Sequence, residues 1–191
     1  NMPFMLVGAR QVGKTYILDE FCRTNFENYL YINLEKESEI QAVFENTLNP
    51  KEIIESISIL KEIKISISNT VIFLDEIQVS ERAITSLKYF NESEKDYNIV
   101  CAGSLLGVAL NRFRHTDPVG KVRKVTLHPI DFEEFLWSIN QKKLADMIKE
   151  RFDKDKQMLE PVHKKALLIY RDYLYVGGMP ASILEYIEKE Y

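Results

Sequence analysis

The stretch VGARQVGKTY at positions 7–16 constrains the rest of the chain more than any other. It completes the pattern G-x-x-x-x-G-K-[ST] with Gly8, Gly13, Lys14 and Thr15. The apolar run Phe4, Met5, Leu6, Val7 precedes it, and helix-like Tyr16, Ile17, Leu18 and Phe21 follow. Glycines let a backbone turn tightly enough for successive N–H groups to converge on phosphate oxygens. A helix opening near Gly13 adds the positive end of its dipole. In that arrangement Lys14 reaches the β- and γ-phosphates of a nucleotide, and the Thr15 hydroxyl takes a magnesium ion. Positions 8–16 therefore form a phosphate-binding loop. Its nucleotide contacts are expected from Gly8, Ala9, Arg10, Gln11, Val12, Gly13, Lys14, Thr15 and Tyr16.

A loop of this kind needs a parallel sheet behind it, and the chain supplies the rhythm. Residues 29–33 (YLYIN) read as a second strand. Residues 37–47 form an amphipathic helix with Ile40, Val43 and Phe44 at helical spacing. Asn49-Pro50 opens another helix, carrying Ile53, Ile57 and Leu60 to about position 63. Residues 64–68 (KISIS) alternate with period two, so strand competes there. The run VIFL at 71–74 is that of a strand buried on both faces. Ser80 caps a helix over 80–91 with Ile84, Leu87 and Phe90 inward, and 97–102 (YNIVCA) is the next strand. A helix over 105–111, a polar loop over 112–120 and a last strand over 122–127 complete a parallel α/β pattern.

From Pro129 the periodicity becomes purely helical. Asp131 caps a helix carrying Phe132, Phe135, Leu136 and Ile139, and Leu144, Met147, Ile148 and Phe152 form the face of a second. A third spans 166–176 and stops at Gly177-Gly178, and a fourth opens at Pro180. The expected organisation is a P-loop core at 1–128 followed by a helical segment at 129–191.

Asp75 and Glu76 end the buried strand, and ligand sites in α/β sheets lie at the carboxyl ends of strands. An aspartate there holds magnesium opposite Thr15, and an adjacent glutamate polarises the attacking water. The pair turns a phosphate cradle into a hydrolytic centre. Ser104, at the tip of the following strand, is expected to face the γ-phosphate, although a simple helix cap explains it equally. The catalytic residues expected are thus Glu76, Lys14 and Ser104, with Thr15 and Asp75 on the metal. Gln78 suits either water positioning or a solvated loop. Arg112 and Arg114 follow the next helix, where an ordinary solvated pair is the plainer reading and an arginine finger the sharper one.

Composition limits the alternatives. The 191 residues are 46% hydrophobic with a net charge of −4, which suits a globular core and argues against general nucleic-acid coating. The one basic strip runs from Arg112 through His115, Lys121 and Arg123 to Lys124 and reads as a loop and strand edge. Cys22 and Cys101 lie in apolar or helical contexts without metal-ligand spacing, as reduced core thiols would. No export signal or membrane-length apolar run appears, so a cytoplasmic protein is expected. A strand beginning almost at residue 1 and a helix running into Tyr191 suggest part of a longer chain.

GARQVGKT, YINLE, VIFLDEIQ, CAGSLLGV, LHPIDFEEFL and YVGGMP occur in an order that resembles a group of prokaryotic AAA-like P-loop ATPases, related to the archaeal ATPase and STAND groups. Those proteins commonly carry an additional C-terminal domain resembling PD-(D/E)XK nucleases. The resemblance implies ATP as nucleotide, a five-stranded parallel sheet of order 5-1-4-3-2, and a helical or winged-helix segment after it. It also implies an adenine contact from Pro180, because Gly178-Met179-Pro180 matches a glycine-x-proline turn of STAND relatives. Ordinary helix punctuation accounts for the same residues. Where relatives often show Gly-Arg before the last strand, this chain has Gly120-Lys121, which weakens a guanidinium role there.

Two functions follow: Mg-dependent ATP hydrolysis coupled to movement of the helical segment, or a nucleotide-dependent switch with negligible turnover. A guanine-specific protein is disfavoured by the absence of an Asn-Lys-x-Asp segment after the later strands. A protein partner or self-association fits either function. Nucleic acid would be reached only through a C-terminal domain beyond this chain, and a membrane is not expected.

Overall fold

The computed structural model describes residues 1–66, 69–104 and 120–190. It divides into two compact units, Asn1–Leu127 and His128–Tyr191. In the first, strands β1 (Phe4–Gly8), β2 (Asn28–Asn33), β3 (Thr70–Asp75), β4 (Asn98–Ser104) and β5 (Arg123–Leu127) form one sheet of order β2-β3-β4-β1-β5. All four pairings are parallel. This is the 5-1-4-3-2 order, read from the other edge.

Alternation along the strands sorts the core into two layers. Met5, Val7, Ile72, Leu74, Ile99 and Cys101 join one apolar cluster, and Leu6, Val71, Phe73, Val100 and Ala102 join the other. Helix α1 (Lys14–Asn25) covers the second layer through Leu18 and Cys22. Helices α2 (Ser38–Asn46), α3 (Pro50–Leu60) and α4 (Glu81–Glu92) cover the first. Right-handed crossovers explain the split. The step from β1 to β2 runs against the direction of the steps from β2 to β3 to β4, so its helix falls on the opposite face. Cys22 and Cys101 therefore lie in different layers. Both are free and fully buried, and burial raises both thiols, that of Cys22 to about 11.

Local signals set the helix ends. The Ser80 side chain accepts from the Ala83 N–H, and Asn49 accepts from Lys51 ahead of Pro50. Helix α3 stops at Leu60, short of the expected 63, and Ile63–Ser66 is neither helix nor strand. The expected helix at 105–111, Arg112, Arg114, His115 and part of KISIS (Ile67, Ser68) fall outside the described residues.

The described elements of the second unit are helices α5 (Phe132–Ser138), α6 (Lys142–Asp153), α7 (Glu160–Val176) and α8 (Pro180–Glu190). Asp131 and Glu134 form a reciprocal capping box at the start of α5. Helix α7 begins six residues before the expected position 166, because Pro161 suits a first turn where its missing N–H costs nothing. In α6 the buried stripe is Leu144 and Ala145 with Ile148 partly buried, whereas Phe152 is 84% exposed, since the helix meets the core through its first half. No helix among the described residues is long and apolar enough to cross a membrane.

The Gly178-Met179-Pro180 turn has a packing cause within this unit. The Ile130 N–H donates to the Gly178 carbonyl at 2.9 Å, and a Cβ on Gly178 would stand 2.3 Å from the Ile130 carbonyl oxygen. Backbone meets backbone there, so neither side can yield cheaply. Gly178→Ala is expected to destabilise the protein by roughly 1–3 kcal/mol, as overpacking does. Gly120→Ala, with open space around it and only its φ of 77° to pay for, is expected to cost less. Thermal melts of the two variants check the order.

Candidate functional site

The loop after β1 is shaped by two left-handed residues and one close approach. Gln11 has φ 63° and Gly13 φ 99°, which reverse the chain between strand and helix. Gly8 has a different reason to be glycine. It pairs with Leu127 in β5, and a Cβ there would lie 2.4 Å from the Leu127 carbonyl oxygen. Val12 is buried and reaches within 3.2 Å of that same Cβ position, so it pins the loop from below. Helix α1 opens at Gly13 with no side-chain cap and no acidic residue in its first turn. Its positive end is left to an external anion.

Lys14 is buried, and its Nζ donates to the carbonyls of Ala9 (2.7 Å) and Gly8 (3.2 Å). Burial lowers its pKa; Glu76 and then Asp75 oppose that by attraction, and Arg10 adds to it by repulsion. An ammonium group has three donors. Two are spent on the loop itself, leaving one for a ligand.

Asp75 gathers the other tips. Its Oδ2 accepts from the Thr15 hydroxyl (3.1 Å) and from the Tyr31 phenol (2.8 Å), while Oδ1 accepts from the Glu76 N–H (3.0 Å). Its backbone carbonyl holds the Leu34 N–H at 3.0 Å. Asn33, level with Asp75 in the β2–β3 register, donates its amide to the Tyr31 oxygen at 3.3 Å. Burial, with help from Asp75 and Glu76, pushes the Tyr31 phenol up to about 12, so it remains a donor at neutral pH.

Glu76 sits at φ 52°, ψ 39°, a conformation uncommon for a non-glycine residue, and starts a short 3-10 turn, Ile77–Val79. The Gln78 amide nitrogen donates to Glu76 Oε2, and its oxygen accepts the Ser104 N–H at 3.0 Å. Gln78 thus ties the glutamate to the tip of β4. The Ser104 hydroxyl oxygen is buried and has no hydrogen-bond partner among the described residues.

A cleft of about 510 Å³ lies over these tips, lined by Arg10, Gln11, Gly13, Lys14, Thr15, Tyr16, Glu35, Glu76 and Ser104. Gly8, Ala9 and Val12 belong to the same loop, and Asp75 is bonded to Thr15 beneath it. Pro180 is the first residue of α8 in the other unit. Three residues of this region went unremarked as site residues in the sequence: Tyr31, Asn33 and Glu35. Their only signal was that Tyr31 and Asn33 share one face of β2, two residues apart. A larger cavity, about 600 Å³, lies beside Phe4, Leu6, Phe21, Phe26 and Val100 and is lined chiefly by apolar groups.

The donor set suits magnesium. One hydroxyl and one carboxylate converge, and no group of three His, Cys, Asp or Glu residues that could hold a metal occurs among the described residues. Magnesium is commonly held by one or two carboxylates with phosphates and water completing its shell, whereas zinc and calcium use fuller protein cages.

A family model described as an AAA domain matches residues 1–136. Two solved structures of the Aeropyrum pernix ORC2 protein are similar to the chain. The structure of its ADPNP-ADP complexes shares 15% identity, covering 76% of this chain and 46% of that one, with a TM-score of 0.49. The ADP form shares 13% identity, covering 87% and 62%, with a TM-score of 0.47. The chain thus spans less than two thirds of either. No curated protein matched the sequence.

Gln78→Leu removes the amide that bridges Glu76 and Ser104 and leaves the partly buried Ser104 N–H without its acceptor. It is expected to cost about 1–3 kcal/mol in urea unfolding, and Gln78→Glu, which keeps an acceptor for Ser104 but sets a second carboxylate against Glu76, is expected to destabilise as well.

Proposed function

The chain belongs to the AAA domain family, and from that premise we propose that it binds ATP with magnesium and hydrolyses it in the cleft over β1, β3 and β4. The observation that carries this is the bond between the Thr15 hydroxyl and Asp75, with Glu76 beside it and Lys14 in the same cleft. The loop from Gly8 through Ala9, Arg10, Gln11, Val12 and Gly13 cradles the phosphates, Tyr16 continues that contact, and Lys14 offers its remaining donor to the β- and γ-oxygens. Thr15 and Asp75 hold magnesium, which when bound neutralises charge on the phosphates.

Glu76 accepts the proton of a water whose oxygen attacks the γ-phosphorus. The bond from that phosphorus to the β–γ bridging oxygen breaks, and ADP and phosphate leave. The Ser104 hydroxyl, without a hydrogen-bond partner among the described residues, donates to a γ-phosphate oxygen. The resemblance of Gly178-Met179-Pro180 to the glycine-x-proline turn of STAND relatives is what supports Pro180 as an adenine contact. A cytoplasmic setting and a protein partner or self-association complete the proposal.

One observation favours a second reading, a nucleotide-dependent switch with negligible turnover. The Gln78 amide already occupies Glu76 Oε2, which removes a water-orienting oxygen.

Wild-type chain is expected to turn over ATP in magnesium and to bind it in preference to GTP. Glu76→Gln should keep ATP affinity within about threefold while turnover falls on the order of 100-fold or more. Turnover unchanged in Glu76→Gln would sink the role of Glu76. Tight ATP binding without turnover in the wild type would instead establish the switch.

A further inference from the structure

We propose that Tyr31 is a positioning residue for magnesium, fixing the direction in which the Asp75 carboxylate faces its metal. The inference rests on the assignment of Thr15 and Asp75 to the metal made above. Tyr31 lies on β2, separated in the sheet from the phosphate loop's own strand by β3 and β4, and outside every loop motif. Its ring stands edge-on to Phe73 at 5.3 Å and 72°, which leaves the phenol aimed along the sheet toward the end of β3. There it donates to Asp75 Oδ2 at 2.8 Å, the same oxygen that takes the Thr15 hydroxyl.

The phenol is itself oriented. Asn33 donates its amide to the Tyr31 oxygen (3.3 Å), so the phenol hydrogen is left for Asp75. The Asn33 side-chain oxygen Oδ1 in turn accepts the N–H groups of Glu35 and Lys36, each at 3.1 Å, which locks the turn after β2. With Oδ1 held by the Glu76 N–H at 3.0 Å, both oxygens of Asp75 have fixed donors. A carboxylate clamped in this way cannot rotate without breaking a charge-assisted bond. A metal bound through few protein ligands depends on such orientation, and loss of an outer-shell partner typically costs on the order of 10–100-fold in metal affinity or activity. Tyr31 also reaches no nucleotide-lining position of the cleft, so its influence runs through Asp75.

The test uses the whole 191-residue chain and a fluorescent ATP analogue, titrated in EDTA and then at rising magnesium chloride. Tyr31→Phe keeps the ring against Phe73 and removes one oxygen. Its affinity for the analogue in EDTA is expected to stay within about twofold of wild type. The magnesium concentration giving half of the metal-dependent gain should rise about 10-fold or more. In an Asp75→Ala background, Tyr31→Phe should then change nothing further, because the acceptor is gone. An unchanged magnesium midpoint overturns the proposal. Equal weakening in EDTA and magnesium, or a full effect in the Asp75→Ala background, overturns it too, by assigning Tyr31 a merely structural role. If Tyr31→Phe does not fold, Asn33→Ala, which removes the amide that orients the phenol, replaces it: the magnesium midpoint is expected to rise, and an unchanged midpoint overturns the proposal. A wild-type chain that binds the analogue with no response to magnesium fails the assignment of Thr15 and Asp75 instead, and the two failures are told apart by that control.

Discussion

A single buried carboxylate holds the site together. Asp75 is 4% exposed, and burying an ionised group is costly unless its oxygens are matched. Here they are matched by groups from three places: the first turn of α1 through Thr15, the β2 strand through Tyr31, and the chain's own next amide through Glu76. The strand order makes this a demanding arrangement, since β4 lies between β3 and β1. Thr15 reaches across the tip of β4 to bond Asp75, and Ser104 at that tip comes to line the same cleft. Moving any of these tips would strand a charge.

The backbone around Asp75 supports the arrangement at some local cost. Gln11 and Glu76 adopt left-handed conformations without being glycine, and both line the cleft. Such residues persist only where surrounding contacts over-determine them. Val12 packed under the loop and Gln78 bonded to both Glu76 and Ser104 are those contacts. The glycine spacing of the loop likewise serves two ends. Gly13 supplies a left-handed turn, whereas Gly8 is needed because β5 comes too close for a side chain.

Much of the sheet was legible because strand burial leaves a plain mark. VIFL followed by Asp-Glu reads as a buried strand ending at a ligand edge, and all six residues of β3 are buried. Caps were equally local, and Ser80, Asn49 and Asp131 each act within three residues of their position. Features that depend on distant partners were less legible. The start of α7 was missed because residues 160–165 carry no apolar period, and the exposure of Phe152 depends on how far α6 extends past its neighbours. Tyr31 and Asn33 read as strand residues, since nothing near them in the chain shows that Asp75 lies opposite.

The amino-acid sequence by itself determined the phosphate loop, the carboxylate pair and the alternation that sorts the strands into a two-layered core. Those properties are set by neighbours within a few residues, through glycine conformations, helix periodicity and strand pleat. Tertiary structure alone decided which tips meet. It set Asn33 level with Asp75, brought Leu127 against Gly8, and tied Gln78 to Ser104 at the tip of β4. The physical reason is register. Parallel pairing between strands dozens of residues apart fixes which side chains share an edge, and no local preference encodes that choice.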